Sequence, residues 1–376
     1  MTKIKAIINL LSSLKFALTC FVALFIIILV GTFAQINHGI YYVQKVYFHS
    51  FFIFITVKNI TIPIFPGGAL IGTMLIINLS LSTILKIKWT LKKSGLLIIH
   101  LGLILLLLGG GLTSCISTES QIYLEEGKST FYSEDLNLNE LIIIDSSNPK
   151  FDKLIAIDYK ELKQKKEIQH KSIPFKINIH NTFDNSQLNI TKINQDTVVT
   201  SGIGKSLALK ALPIFTKDNL KNNPSCIISF NDNKSATYLF SLDINGTQKV
   251  KINTNTYYIQ LQPKRYYFPF LITLSKFKDD YYQGTSIAKS YLSEIKITDF
   301  KTNQVQNTKV YMNHPFRKEL FTFYQASFGE DIPSSVFQVV FNPGWLLPYI
   351  SSIIITLGLL IHFSIHLLFF LKKKNS

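Results

Sequence analysis

Four long stretches of the chain hold almost no charged residue. Phe16–Ala34 and Gly67–Leu85 are uncharged, Gly95–Thr113 carries one ionisable group (His100), and Trp345–Leu371 carries His362 and His366. A helix rises about 1.5 Å per residue and the hydrocarbon core of a bilayer is about 30 Å thick, so roughly 20 apolar residues make one crossing. The pattern predicts four transmembrane helices. Lys3, Lys5 and Lys15 before the first run resemble the start of a signal peptide. That run is too long for a signal core, and Gly31–Gln35 is a poor cleavage site, so it reads as a permanent anchor.

Between the third and fourth runs the period changes. Phe175–His180, Thr256–Gln262 and Glu294–Asp299 alternate apolar and polar, and Val336–Phe341 is a short β-branched and aromatic run. Asp232-Asn233, Asn245-Gly246 and Gln283-Gly284 are turn signals. Tyr159–Ile168 is the best candidate for a short helix. The expected fold is a polytopic α-helical membrane protein, three helices before and one after a large, mainly-β extracytoplasmic domain, for which two stacked β layers are one arrangement. Residues 1–113 form the N-terminal membrane region, 114–344 the β-rich domain, and 345–376 the last helix with a basic tail.

Charge supplies the orientation. The net charge of +16 would suit a nucleic-acid binder if it were spread over a soluble surface. It is not. All acidic residues lie between Glu119 and Asp331, where 27 basic residues face 23 acidic ones; the outer segments hold 12 lysines and no acid. Lys3, Lys5 and Lys15, then Lys86, Lys88, Lys92 and Lys93, then Lys372–Lys374 fall on one side if both termini are cytoplasmic. The β-rich domain is then expected in the periplasm of a bacterium, the chain sitting in the inner membrane, or in the lumen of a thylakoid. No nucleic-acid partner is expected.

Soluble-enzyme signatures are missing: there is no GxxxxGK[ST], GxGxxG, GxSxG or HExxH. Cys20, Cys115 and Cys226 form no CxxC, so the chain lacks its own dithiol site; a Cys115–Cys226 disulfide and two unpaired thiols both remain open. Histidine is the remaining candidate. His100 lies in an apolar helix, where an ionisable side chain costs a few kcal/mol and takes a partner. A neutral imidazole ligates haem iron or another metal well; a hydrogen bond to a neighbouring helix, for example to Asn78, is the other reading. His362 and His366 share a helix face, as a metal pair would, but helix-end solvation suits their position better. His38 and His49 fall in the first outer loop among Tyr41, Tyr42, Tyr47 and Phe48, better read as an interfacial aromatic belt than as a haem edge. His314 sits in an Asn-His-Pro turn, and His170 and His180 read as ordinary surface or strand residues.

Taken in order, short motifs along the chain resemble the ResB (also called CcsB) proteins of system II cytochrome c biogenesis. Leu11-Ser12-Ser13-Leu14-Lys15 precedes the first span, and Gly31-Thr32-Phe33-Ala34-Gln35 is similar to that family's "GT-x-x-Q" exit from it. Pro66-Gly67-Gly68, His100-Leu101-Gly102 and Leu124-Glu125-Glu126-Gly127 follow. Pro269-Phe270 and Tyr282-Gln283-Gly284-Thr285 with Ser293 resemble its "PF" and "PGT…S" pattern, with Gln283 in place of proline. Met312-Asn313-His314-Pro315, Phe323-Tyr324-Gln325-Ala326-Ser327-Phe328 and Asn342-Pro343-Gly344 complete the series.

The resemblance implies a subunit of a haem lyase, or holocytochrome c synthetase, that is not an enzyme by itself. It implies haem b (iron protoporphyrin IX) shared with a ResC/CcsA-type partner that carries the tryptophan-rich loop; this chain has only Trp89 and Trp345. It implies apocytochrome c as the substrate protein and thiol-reducing proteins as indirect partners. His100 takes the position of the family's intramembrane haem ligand. No haem role passes to His314. The competing reading from another class is a non-haem membrane-anchored scaffold or sensor with a ligand-binding β domain.

Overall fold

The computed structural model describes residues 2–58, 60–190, 199–217, 220–231, 236–253, 255–285, 287–329 and 331–374. The turn expected at Asp232-Asn233 lies outside them. The chain forms two compact units: a helical one from the residues up to Thr118, Thr216 and its neighbours, and the residues from Phe341 on, and a β-rich one from Glu119–Phe215 and Leu220–Val340.

The helical unit contains α1 (Thr2–Leu11), α2 (Leu14–Val43), α3 (Gly68–Leu85), α4 (Ser94–Ile116) and α5 (Leu347–Lys374). The last four are long and apolar enough to cross a membrane. Hydroxyl side chains turn back on their own helices, as Thr32 Oγ1 does to Ile28 O at 2.7 Å, which pairs a polar group that lipid could not. Ser13 caps α2, its hydroxyl accepting from Phe16 N at 3.1 Å. α2 does not exit at the Gly31–Gln35 motif as the sequence suggested. It runs to Val43, kinked at Gly39 (φ 71°), so His38 lies on the helix and not in a loop. An antiparallel hairpin, β1 (Phe52–Val57) and β2 (Ile60–Pro66), then leads into α3.

α4 and α5 pack almost backbone to backbone. A Cβ placed on Gly95 would come 2.5 Å from His362 N, one on Gly102 would come 2.6 Å from Ile355, and one on Gly109 would come 2.9 Å from Leu347. The three glycines are seven residues apart and so share a face. Gly358 answers from α5, against Ile99 and Gly95 O. Lipid tails are as apolar as leucine, so close van der Waals packing of small residues must hold helices together there.

The β-rich unit starts with β3 (Thr118–Glu125), β4 (Ser129–Asp145) and β5 (Lys153–Asp158). A short helix, Tyr159–Gln164, fills the place where the sequence suggested one. Next come β6 (Glu167–Gln169), β7 (Lys176–Phe183), β8 (Ser186–Ile190), β9 (Leu207–Ala211), β10 (Ser225–Phe230), β11 (Thr237–Ser241) and β12 (Gln248–Ile252). The 27-residue β13 (Asn255–Tyr281) precedes β14 (Ala288–Asp299), β15 (Val305–Tyr311), β16 (Phe316–Lys318), β17 (Phe321–Phe328) and β18 (Ser334–Phe341).

One sheet runs β15-β14-β13-β4-β3-β18-β17-β16, with β12 added to β13 and β5 to β4; a second runs β11-β10-β7-β6. β4 and β13 pair antiparallel along most of their length, interrupted near Pro263–Arg265 and between Tyr267 and Ile272. They serve two cores. At one end Leu141, Ile143, Tyr257 and Ile259 pack with Ile177, Ile228 and Phe240 of the smaller sheet, a two-layer sandwich. At the other end Phe270, Ile272, Ile297, Val310, Phe323 and Phe337 form a core of their own, for which the large sheet must curl on itself. Lys318 on β16 reaches Asp299 on β14 at 3.7 Å, across that curl.

Cys226 is buried and Cys115 exposed, and both are free thiols, so the disulfide allowed by the sequence is not formed.

Candidate functional site

α3 and α4 bring Thr83 and His100 together near the end of the pair where their lysine-bearing link lies. His100 is the seventh residue of α4, about 9 Å along the helix from its start. Its Nδ1 lies 2.8 Å from Thr83 Oγ1. The Thr83 hydroxyl has one proton and donates it to Leu79 O at 2.7 Å. It therefore accepts from Nδ1–H of His100, which leaves the ring lone pair on Nε2. Among the described residues Nε2 has no hydrogen-bond partner, and it is not among the buried unpaired atoms. An accepting ring nitrogen is thus held at the surface of an apolar helix.

Asn78 does not supply the partner that the sequence suggested for His100. It is buried, and its amide donates to Leu11 O and, at 3.0 Å, to Ser13 O, pinning α3 to the turn between α1 and α2. Thr83 is the residue that sequence reading passed over. Its one signal was a hydroxyl in an apolar span near the same lysine-marked end as His100.

The other histidines scatter. His38 stacks on Tyr42 at 4.7 Å and its Nδ1 lies 3.3 Å from Thr216 Oγ1. His49 ends the helical turn that follows α2. His314 lies flat on Tyr311 with ring centroids 4.2 Å apart, in a turn with Asn313 at φ 61°. His180 bonds Ser229 Oγ at 2.9 Å, and His170 accepts from Ser172 N at 3.2 Å. His362 departs from simple helix-end solvation: its Nδ1 is buried without a partner among the described residues, and its ring lies 4.4 Å from that of exposed His366. No group of three or more metal-ligating side chains forms among the described residues.

In the β-rich unit, motifs far apart in the chain meet. Ser293 Oγ donates to Gln325 Oε1 at 2.6 Å and lies 2.5 Å from Ser335 Oγ, all three buried. Gln325 Nε2 donates to Ser327 O at 3.1 Å. Leu124–Gly127 turns from β3 to β4, with Gly127 at φ 82° and its N–H donating to Leu274 O at 2.8 Å. Glu126 accepts from Phe277 N at 3.0 Å. Gly284, at φ 73°, forms the turn after β13 beside Gln283. These motifs hold the second core together and carry no reacting group.

Residues 244–334, from β12 to the start of β18, match the family model described as ResB-like. Over this stretch the chain is ResB-like. The match covers Phe268, Phe270, Ile272, Ile297, Val310 and Phe323 of the second core, and the motifs from Pro269 to Ser327. The stretch does not include His100. No curated protein matches the chain.

Proposed function

We propose that the protein is a subunit of the system II cytochrome c synthetase, helping to carry haem across the membrane and join it to apocytochrome c on the outer face. The observation that carries this reading is the state of the His100 ring. Nδ1–H is tied to Thr83, and Nε2 presents its lone pair at the helix surface. Metal-ligating histidines are oriented in just this way, by a hydrogen bond from the nitrogen that does not ligate. The residues fit haem: His100 Nε2 would ligate its iron, with Thr83 holding the ring.

Bound haem supplies two vinyl groups, to which the two thiols of a CxxCH segment add. This chain contributes no thiol pair, so it holds and positions, while thiol reduction belongs to other proteins. Thr83 keeps the imidazole in the ligating tautomer. The Gly95, Gly102 and Gly109 seam fixes α4 against α5 and so limits rotation of the His100 helix. The lysine pattern supports a topology with both termini in the cytoplasm and the β-rich unit outside, in a bacterial inner membrane or a thylakoid. Reporter fusions after Lys93 and near Asn245 should read inside and outside respectively.

The test is co-purification with a ResC/CcsA-type partner followed by an absorption spectrum. We expect a low-spin haem that is weakened or lost in His100→Ala and His100→Gly and regained with added imidazole. A spectrum and a cytochrome c yield that ignore the substitution would refute the ligand assignment.

A further inference from the structure

The hairpin between α2 and α3 has a sidedness that crossing the membrane does not explain. Paired residues of an antiparallel ladder share a face, so Ile55↔Ile62 and Val57↔Ile60 lie on one side, with Ile53↔Phe65 at its base. That side is wholly apolar. Ile55, Val57, Ile60 and Ile62 are 47%, 54%, 64% and 49% exposed. The opposite side carries the Thr56–Thr61 pair, their hydroxyls 3.2 Å apart, beside Phe54 and Pro63. A lone two-stranded hairpin is at best marginally stable in water, least of all with four bare aliphatic side chains.

What covers them follows from the base of the hairpin. Ile53 is buried, and Phe65 packs with it, against the core that α2 and α3 share through Ile27, Ile71 and Leu75. Gly67 N donates to Phe51 O at 2.8 Å, which fixes the hairpin to the start of α3. The aliphatic side is therefore the continuation of the side that rests on two membrane-crossing helices, and what lies beside such helices is lipid. The hairpin's charges agree: it has no acid, and its only cation is Lys58 at the tip. Its open edges leave backbone groups unpaired, which excludes passage through hydrocarbon but not a position at the headgroup boundary.

We propose that the β1–β2 hairpin lies flat on the membrane surface, its Ile55, Val57, Ile60 and Ile62 side sunk into the acyl-chain boundary and its Thr56–Thr61 side toward water. This does not depend on the haem reading. It makes the hairpin a second mode of membrane attachment, beside the spanning helices.

The experiment uses the full chain carrying Trp89→Phe and Trp345→Phe, reconstituted in phosphatidylcholine–phosphatidylglycerol vesicles with brominated acyl chains. A single tryptophan is then introduced as Ile62→Trp or as Thr61→Trp. The bromolipids should quench Ile62→Trp several-fold more than Thr61→Trp, and aqueous iodide should show the reverse order. Ile60→Trp, on the same side, gives the same answer where Ile62→Trp fails to fold. Equal bromolipid quenching on both sides, or an Ile62→Trp signal reached by iodide alone, would overturn the proposal. Shielding of Ile62→Trp from both quenchers would also overturn it, by assigning this side to a protein partner.

Discussion

His100 Nδ1 donates to Thr83 Oγ1 at 2.8 Å, and the same hydroxyl donates onward to Leu79 O. The pair therefore sets which ring nitrogen is left to act. Partners of this kind are worth about 10–100-fold in affinity for the metal group they orient. Thr83→Val keeps the shape and loses the acceptor, and should lower haem occupancy of the purified complex by about that factor. Thr83→Ser should keep it. Haem content by pyridine haemochrome, followed along an imidazole titration, reads the difference; equal occupancy in Thr83→Val would show that the bond only packs the helices.

The α4–α5 seam allows a sharp comparison between glycines of one helix. A methyl on Gly95 would meet His362 N at 2.5 Å, whereas nothing lies within 4 Å of one on Gly110. Gly95→Ala should cost about 1–3 kcal/mol through overpacking against rigid backbone. Gly110→Ala should be neutral, or gain up to about 1 kcal/mol from helix propensity. Thermal unfolding in detergent, followed through loss of the monodisperse peak, separates them. Similar curves for the two would mean that α4 and α5 are not in this contact.

The Ser293–Gln325–Ser335 cluster is buried in the second core. Gln325→Leu would leave the Ser293 hydroxyl without its amide acceptor and Ser327 O without its donor, a cost of about 1–3 kcal/mol. Urea denaturation of the full chain should show the loss, while haem occupancy of the folded fraction should be unchanged. A fall in haem occupancy without a fall in stability would instead give these residues a direct part in haem handling.

Burial pushes the Cys226 thiol up to about 12. Alkylation needs the thiolate, which is then about one part in ten thousand at pH 8. A maleimide should label exposed Cys115 in the native protein and reach Cys226 only after denaturation. The sign follows from the raised value: below pH 12 the neutral form dominates, so raising the pH from 7 to 9 should not expose Cys226 to reagent. Native labelling of Cys226 in that window would show that the sandwich core opens.

How much of this was legible in the sequence depended on whether one element's pattern was enough. The four long apolar helices could be read because uncharged runs of that length have few other uses. β7, β14 and β18 could be read because one of their sides faces a core and the other does not. α2 was cut short at Ala34 because Gln35, Asn37 and His38 look like a loop, though helical hydrogen bonds continue past them to Val43. The hairpin was not read because Thr56 and Thr61 alone interrupt its apolar run on one side, too few to show the alternation that marks a strand. The Thr83–His100 pair, and the meeting of Ser293 with Gln325, needed two elements to be placed side by side, and no periodicity encodes that.

The order of the large sheet bears on how the molecule is made. β3 follows α4 directly, β18 leads into α5, and the two strands are neighbours, with Glu126 N bonded to Pro333 O at 2.9 Å and Ser120 Oγ to Val339 O at 3.3 Å. The β-rich unit is thus a closed excursion between two helices that pack on each other, and its final strand leaves translation only just ahead of the last long apolar helix. Completion of the β-rich unit and emergence of α5 become nearly one event in synthesis. A chain stalled before residue 334 would lack both the strand that seats beside β3 and the helix that seats against α4, and quality-control proteases would meet two unfinished edges at once.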